Sequence, residues 1–170
     1  MQDKSIYTAA PAYYAYYFDL VKSNDLIQEL RANVVEAEGV LSMLPEEKWH
    51  YAYADNKWTI AEVVRHVIET ERIFAYRALR LSRLDDTPLA GFNENSYIAN
   101  LHAVRFSKDD TMLELRAVRE STVCLFNAMN DEMLHFLGNA NGLSVSAEML
   151  GFMIVGHTCH HIGVIEERYM

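Results

Sequence analysis

Four stretches of the chain repeat apolar positions every three or four residues, the spacing that draws one continuous stripe along an α-helix. The first runs from about Asn24 to Leu44, with Ile27, Leu30, Val34, Ala37, Leu41 and Leu44 on the stripe and Pro45 closing it. The second opens at Thr59, an N-cap residue, and Glu62 three positions later completes a capping box. Its stripe is Ile60, Val63, Val67, Thr70, Phe74, Ala78 and Leu81, with Pro88 beyond its end. The third is predicted to begin at Ser107, where Asp109 and Asp110 suit the positive end of the helix dipole. It carries Leu115, Val118, Thr122, Leu125, Met129 and Met133. The fourth begins near Ser144 or Ser146, after an Asn141-Gly142 turn, and runs almost to Met170. Its stripe holds Leu143, Ala147, Leu150, Ile154, His157, His161 and Val164.

Between these stretches, Trp49 to Lys57 shows no period, and Gly91 to Arg105 is predicted to hold a short helix. That second connector is long enough to carry the chain across one end of a bundle, so a simple up-down-up-down order is not required. The pattern predicts an all-α, antiparallel four-helix bundle with a short extra helix between helices two and three, residues 1–170 forming one domain. Composition agrees, since only seven glycines and three prolines interrupt 170 residues. The formal net charge of −9 argues against a nucleic-acid partner. Two cysteines, Cys124 and Cys159, are too few for a disulfide framework, and the expectation is a reduced, cytoplasmic protein. The aromatic segment Met1 to Leu20 lacks the basic and aliphatic parts of a signal peptide. No apolar run approaches the ~20 residues of a membrane span.

Two of the seven positions on the fourth stripe are histidines, and they stand four residues apart, so both imidazoles leave the helix in the same direction. His157 and His161 could therefore reach one metal ion. His66 lies near the inward face of the second helix and supplies a third nitrogen. Three neutral imidazoles leave a fourth coordination position open, as in catalytic zinc sites. The competing reading is a set of hydrogen-bonded core histidines around a polar pocket, and the spacing alone does not choose between them.

The stretch from Lys57 to Arg72, Lys-Trp-Thr-Ile-Ala-Glu-Val-Val-Arg-His-Val-Ile-Glu-Thr-Glu-Arg, resembles the signature of the DinB/YfiT-like superfamily. There a Trp-Ser/Thr pair opens helix two, and a histidine follows with an acidic residue three positions after it. The segments Phe74 to Leu79 and Pro88-Leu89-Ala90-Gly91-Phe92 are similar to members of this group, as is Gly156-His157-Thr158-Cys159-His160-His161 on the last helix. The likeness spans about Leu26 to Tyr169. It implies an antiparallel four-helix bundle with a divalent metal, zinc or nickel, held by His66, His157 and His161.

That resemblance implies a metal-dependent transferase or hydrolase working on a small molecule with activated water or a low-molecular-weight thiol. The alternative of a different class is a non-catalytic, stress-related or ligand-binding protein with a structural metal. Glu69, one turn from His66, either orients that ring or is an ordinary helix acid. His160 points about 100° away from His161 and falls outside the ligand set. Cys124 reads as core or near-core packing, and Glu71/Arg72 and Glu166/Glu167 as exposed helix charges. His50, His102 and His135 carry no motif. The N-terminal tyrosines are expected to cover one side of the bundle or to form a homodimer contact.

Overall fold

A computed structural model describes residues 10–101 and 107–170, and in them the helical periods close into helices at side-chain caps. In chain order the elements are α1 (Ala12–Phe18), α2 (Leu26–Met43), a 3-10 turn (Glu46–Lys48), α3 (Ile60–Leu81), α4 (Glu94–Ala99) and α5 (Lys108–Asn127). They continue with α6 (Asp131–His135), strands β1 (Gly138–Ala140) and β2 (Leu143–Val145), and α7 (Ala147–Tyr169). Asp25, Thr59, Ser107 and Ser146 each accept a backbone N–H at the start of the four long helices. Thr59 and Glu62 form the full capping box that the sequence predicts.

The four long helices form a bundle in which α2 and α3 share the same two packing partners, α5 and α7. Helices consecutive in the chain, α2 and α3, therefore stand at opposite corners. Directions follow from the contacts. Lys108 meets Leu44 while Arg119 meets Leu30, so α2 and α5 are antiparallel. Trp58 meets Tyr169 while His66 meets His157, so α3 and α7 are antiparallel as well. Arg65 meets Glu114 and Glu71 meets Arg119, so α3 and α5 run the same way. The long α3–α5 connection is what makes this order feasible, because it returns the chain along the bundle before α5 begins. It contains the expected short helix, α4, capped by Asn93. Its last residues, 102–106, with His102 among them, lie outside the described residues, as do residues 1–9 of the segment read for a signal peptide.

Two apolar clusters fill the bundle. One holds Leu30, Phe74, Leu81, Phe126 and Leu150, the other Val34, Leu41, Ile60, Leu115 and Ile165. Each buried side chain of this size contributes roughly 1.5–3 kcal/mol. Polar residues fall between the clusters on every long helix: Asn33 on α2, Thr70 and Glu71 on α3, Arg119 and Thr122 on α5, His157 and Thr158 on α7. Among the described residues, no helix is long and apolar enough to cross a membrane.

Several local readings change. Leu143 belongs to β2 rather than to the last helix, because Asn141 (φ 56°) and Gly142 (φ 77°) make a hairpin turn that pairs Gly138–Ala140 with Leu143–Val145. Three-residue strands are too short to show a period. Met129 and Met133 leave the α5 stripe, since α5 ends at Asn127 and Asn130 caps a separate short helix. Phe126 rather than Leu125 is buried there, and Cys124 is exposed rather than near the core. Glu71 is buried instead of exposed, because Arg119 enters the core opposite it.

Candidate metal centre

The antiparallel pairing of α3 and α7 brings His66 opposite His157 and His161, which sit one turn apart. His66 Nε2 lies 3.0 Å from His157 Nε2, and His161 Nε2 lies 3.1 Å from the same atom. The three ligand atoms all fall within 4.8 Å of one another. His66 and His157 are buried, and His161 is half-buried.

Three ring nitrogens meeting at one point cannot all be satisfied by each other. Each Nε2 offers one in-plane site, either a proton or a lone pair, so only one pair can form a hydrogen bond and the third nitrogen is left over. A cation accepts all three lone pairs together. Three nitrogens ~2.0–2.1 Å from a tetrahedral zinc stand about 3.3 Å apart, close to the spacing of the two short pairs here. Burial pushes the His66 imidazole down to about 4 and that of His161 to about 3. Burial, and then the neighbouring imidazoles, hold His157 well below its ordinary value. Neutral imidazole is the ligating form.

The surroundings fix the rings. Trp58 packs 5.1 Å from the His66 ring centroid, and Thr70 Oγ1 lies 3.4 Å from His66 Nδ1. Tyr17 of α1 packs 6.0 Å from the His157 ring. This approach needs Gly156, because a Cβ there would stand 2.2 Å from the Tyr17 carbonyl oxygen. The sequence reading left α1 without an assigned helix; a glycine beside His157 on an otherwise apolar helix is the local signal of a close crossing. A cavity of about 500 Å³ opens beside the histidines, walled by Tyr17, Trp58, Phe74 and Arg77.

His160 also lines this cavity but stands outside the three-nitrogen cluster, with Nδ1 3.0 Å from the Tyr16 hydroxyl. Glu69 has Arg65, Glu114 and Arg72 as its charged neighbours rather than the histidines, and Thr70 is the side chain beside His66. Cys159 accepts a hydrogen bond from Asn33 Nδ2, and burial pushes its thiol up, against a thiolate ligand. His135 pairs with Glu148 away from the cluster.

The sequence profile of the DinB superfamily matches residues 29–165. The chain belongs to the DinB superfamily. A solved structure of YfiT from Bacillus subtilis superposes with a TM-score of 0.73, covering 84% of this chain and 82% of that one at 19% identity. YfiT is described as a probable metal-dependent hydrolase with an unusual four-helix bundle topology. At that identity the likeness establishes the four-helix fold. No curated protein matches this DinB superfamily chain.

Proposed function

We propose that His66, His157 and His161 hold one divalent ion, zinc or nickel, and that the protein is a metal-dependent hydrolase of a small molecule bound in the adjoining cavity. The observation that carries this reading is the odd set of three neutral, converging Nε2 atoms, which hydrogen bonding cannot satisfy. Imidazole sets of this kind take zinc and nickel in preference to magnesium or calcium. When bound, such an ion supplies Lewis acidity that brings an attacking water toward its conjugate base near neutral pH.

The rest falls to this chain's own side chains. Thr70 and Trp58 orient His66, and Tyr17 shields one side of His157. The aromatic walls exclude bulk water and hold the apolar part of a substrate. His160, tethered by Tyr16 at the cavity wall, is placed to hold or deliver a proton outside the ligand set. A cavity of about 500 Å³ is far larger than one water needs, which favours a second reading: a low-molecular-weight thiol as nucleophile, making the protein a thiol transferase. Free Cys124 and Cys159 fit a reducing, cytoplasmic setting. Tyr13 and Tyr16, exposed on α1, suit a homodimer contact, which light scattering tests.

The experiment is turnover of a panel of activated esters and amides, with and without added thiol, by chelator-treated and metal-reconstituted protein. Metal-dependent hydrolysis that His161→Ala abolishes supports the hydrolase. Turnover only with thiol moves the assignment to transfer, and equal turnover with and without metal contradicts both.

A further inference from the structure

Arg77 is buried, as are Arg65 and Arg119, but those two pair with Glu114 and Glu71 and the surroundings of Arg77 differ from theirs. It is only 5% exposed, yet among the described residues no carboxylate lies within ion-pair distance of it. Nη2 donates to the Ala90 carbonyl at 2.7 Å, and the guanidinium carbon stands 5.7 Å from the Phe74 ring centroid and 5.9 Å from that of Phe92. Its remaining N–H groups have no acceptor among the described residues. Arg77 lines the histidine cavity, as does Tyr14, a buried residue whose hydroxyl likewise has no hydrogen-bond partner among the described residues. Burial works against the charged form of Arg77 and against ionisation of Tyr14, so both stand as donors awaiting an acceptor.

The wall around them is built for this. The segment Pro88-Leu89-Ala90-Gly91-Phe92 supplies both the carbonyl that fixes Arg77 and the ring that faces it. Leu89 bridges to Ala140, donating its N–H to Asn139 O at 2.9 Å and accepting from Asn141 N–H at 2.8 Å, so the hairpin holds this segment in place. On α3, His66, Thr70, Phe74 and Arg77 fall on one face, since eleven residues make just over three full turns. The Phe74 ring lies between the two ends, 6.4 Å from the His157 ring and 5.7 Å from Arg77 Cζ.

We infer that Arg77 and the Tyr14 hydroxyl form a carboxylate-binding subsite, so that the substrate of this cavity is a monocarboxylate with an apolar body reaching from Arg77 to the histidines. Its carboxylate and its reacting group then stand on the order of 10 Å apart, with the body against Phe74. A guanidinium fork pairs with a carboxylate bidentately. Carboxylate rather than phosphate follows from the charges: Arg77 is the one Lys or Arg side chain among the described residues lining the cavity, Glu94 lines it as well, and the chain carries a formal −9. A dianion would be opposed there. The role of the histidines in this substrate assignment rests on the proposed metal centre; the carboxylate subsite does not.

The test is calorimetric binding of 4-phenylbutyrate, of 4-phenylbutanamide and of phenyl phosphate to the full-length protein, once metal-loaded and once chelator-treated. The expected result is roughly a tenfold or greater preference for the carboxylate over the amide in both states. Arg77→Gln loses that preference, Arg77→Lys keeps part of it, and Tyr14→Phe weakens carboxylate binding about threefold. Equal affinity for carboxylate and amide, or no binding of either, overturns the inference on wild-type protein alone, whether or not Arg77→Gln folds. Tighter binding of phenyl phosphate overturns the carboxylate assignment. A preference present only in metal-loaded protein, and unchanged in Arg77→Gln, places the carboxylate on the metal; it overturns the subsite while leaving the metal centre intact. A preference that persists in protein that takes up no metal supports the subsite and contradicts the centre instead.

Discussion

Two polar groups interrupt the core at the same level of the bundle, and they are built on opposite plans. Around Arg119, five guanidinium N–H groups meet five acceptors: both oxygens of Glu71 at 2.8 and 3.0 Å, Leu30 O, Asn33 Oδ1 and Thr158 Oγ1. That network touches all four long helices and leaves nothing to bind. One residue away on α7, His157 faces the other group, where three imidazole nitrogens converge and one is always left unpaired. Thr158 and His157 are neighbours in sequence with opposite duties, because successive helical residues point about 100° apart. A closed buried network ties elements together, and an open one beside a cavity is where a ligand belongs.

The comparison can be broken by acid, which produces the largest effect. Folded His66 and His161 titrate near 4 and 3, below the ~6.5 of the unfolded chain. The unfolded state therefore binds protons that the folded state refuses. Stability should be full above about pH 6.5 and fall as the pH drops below it, at up to ~1.4 kcal/mol per pH unit for each such histidine. Urea melts between pH 7 and 4 measure this, and a His157→Leu/His161→Leu variant should show a flatter profile. A stability independent of pH across that window contradicts the burial of the cluster.

Breaking the closed network comes next. Glu71→Ala leaves a buried guanidinium without its countercharge and should cost about 3–5 kcal/mol in chemical denaturation. His157→Leu in metal-free protein removes one nitrogen from a set of three that cannot all be paired, so it should change stability by less than ~1.5 kcal/mol. If the two variants cost the same, the distinction between closed and open polar groups fails. The smallest effect is that of Thr70→Val, which removes the hydroxyl beside His66. It should weaken metal affinity by roughly tenfold with little change in the stability of metal-free protein.

Much of this was legible in the sequence, and the parts that were not have physical reasons. The α3 cap at Thr59 and Glu62, the stripes of α2 and α3 and the direction of His157 and His161 are local properties of one helix, and period and capping report them directly. Glu71 looked like an exposed charge beside Arg72, which is one; only the arrival of Arg119 from another helix buries it. The hairpin and α1 went unassigned because each is held by contacts outside itself: Leu89 and Ala140 for the first, and Gly156 against Tyr17 for the second. Arg77 was silent for the same reason, since nothing in the sequence near it shows that no carboxylate will arrive.

The open group makes its claim through metal stoichiometry. Purified, reconstituted wild type should carry about one divalent ion per chain by elemental analysis, and His160→Ala should carry the same. His66→Ala, His157→Ala and His161→Ala should each lose it, while remaining helical by circular dichroism. Wild type that holds no metal after reconstitution, or His161→Ala that holds as much as wild type, would contradict the account.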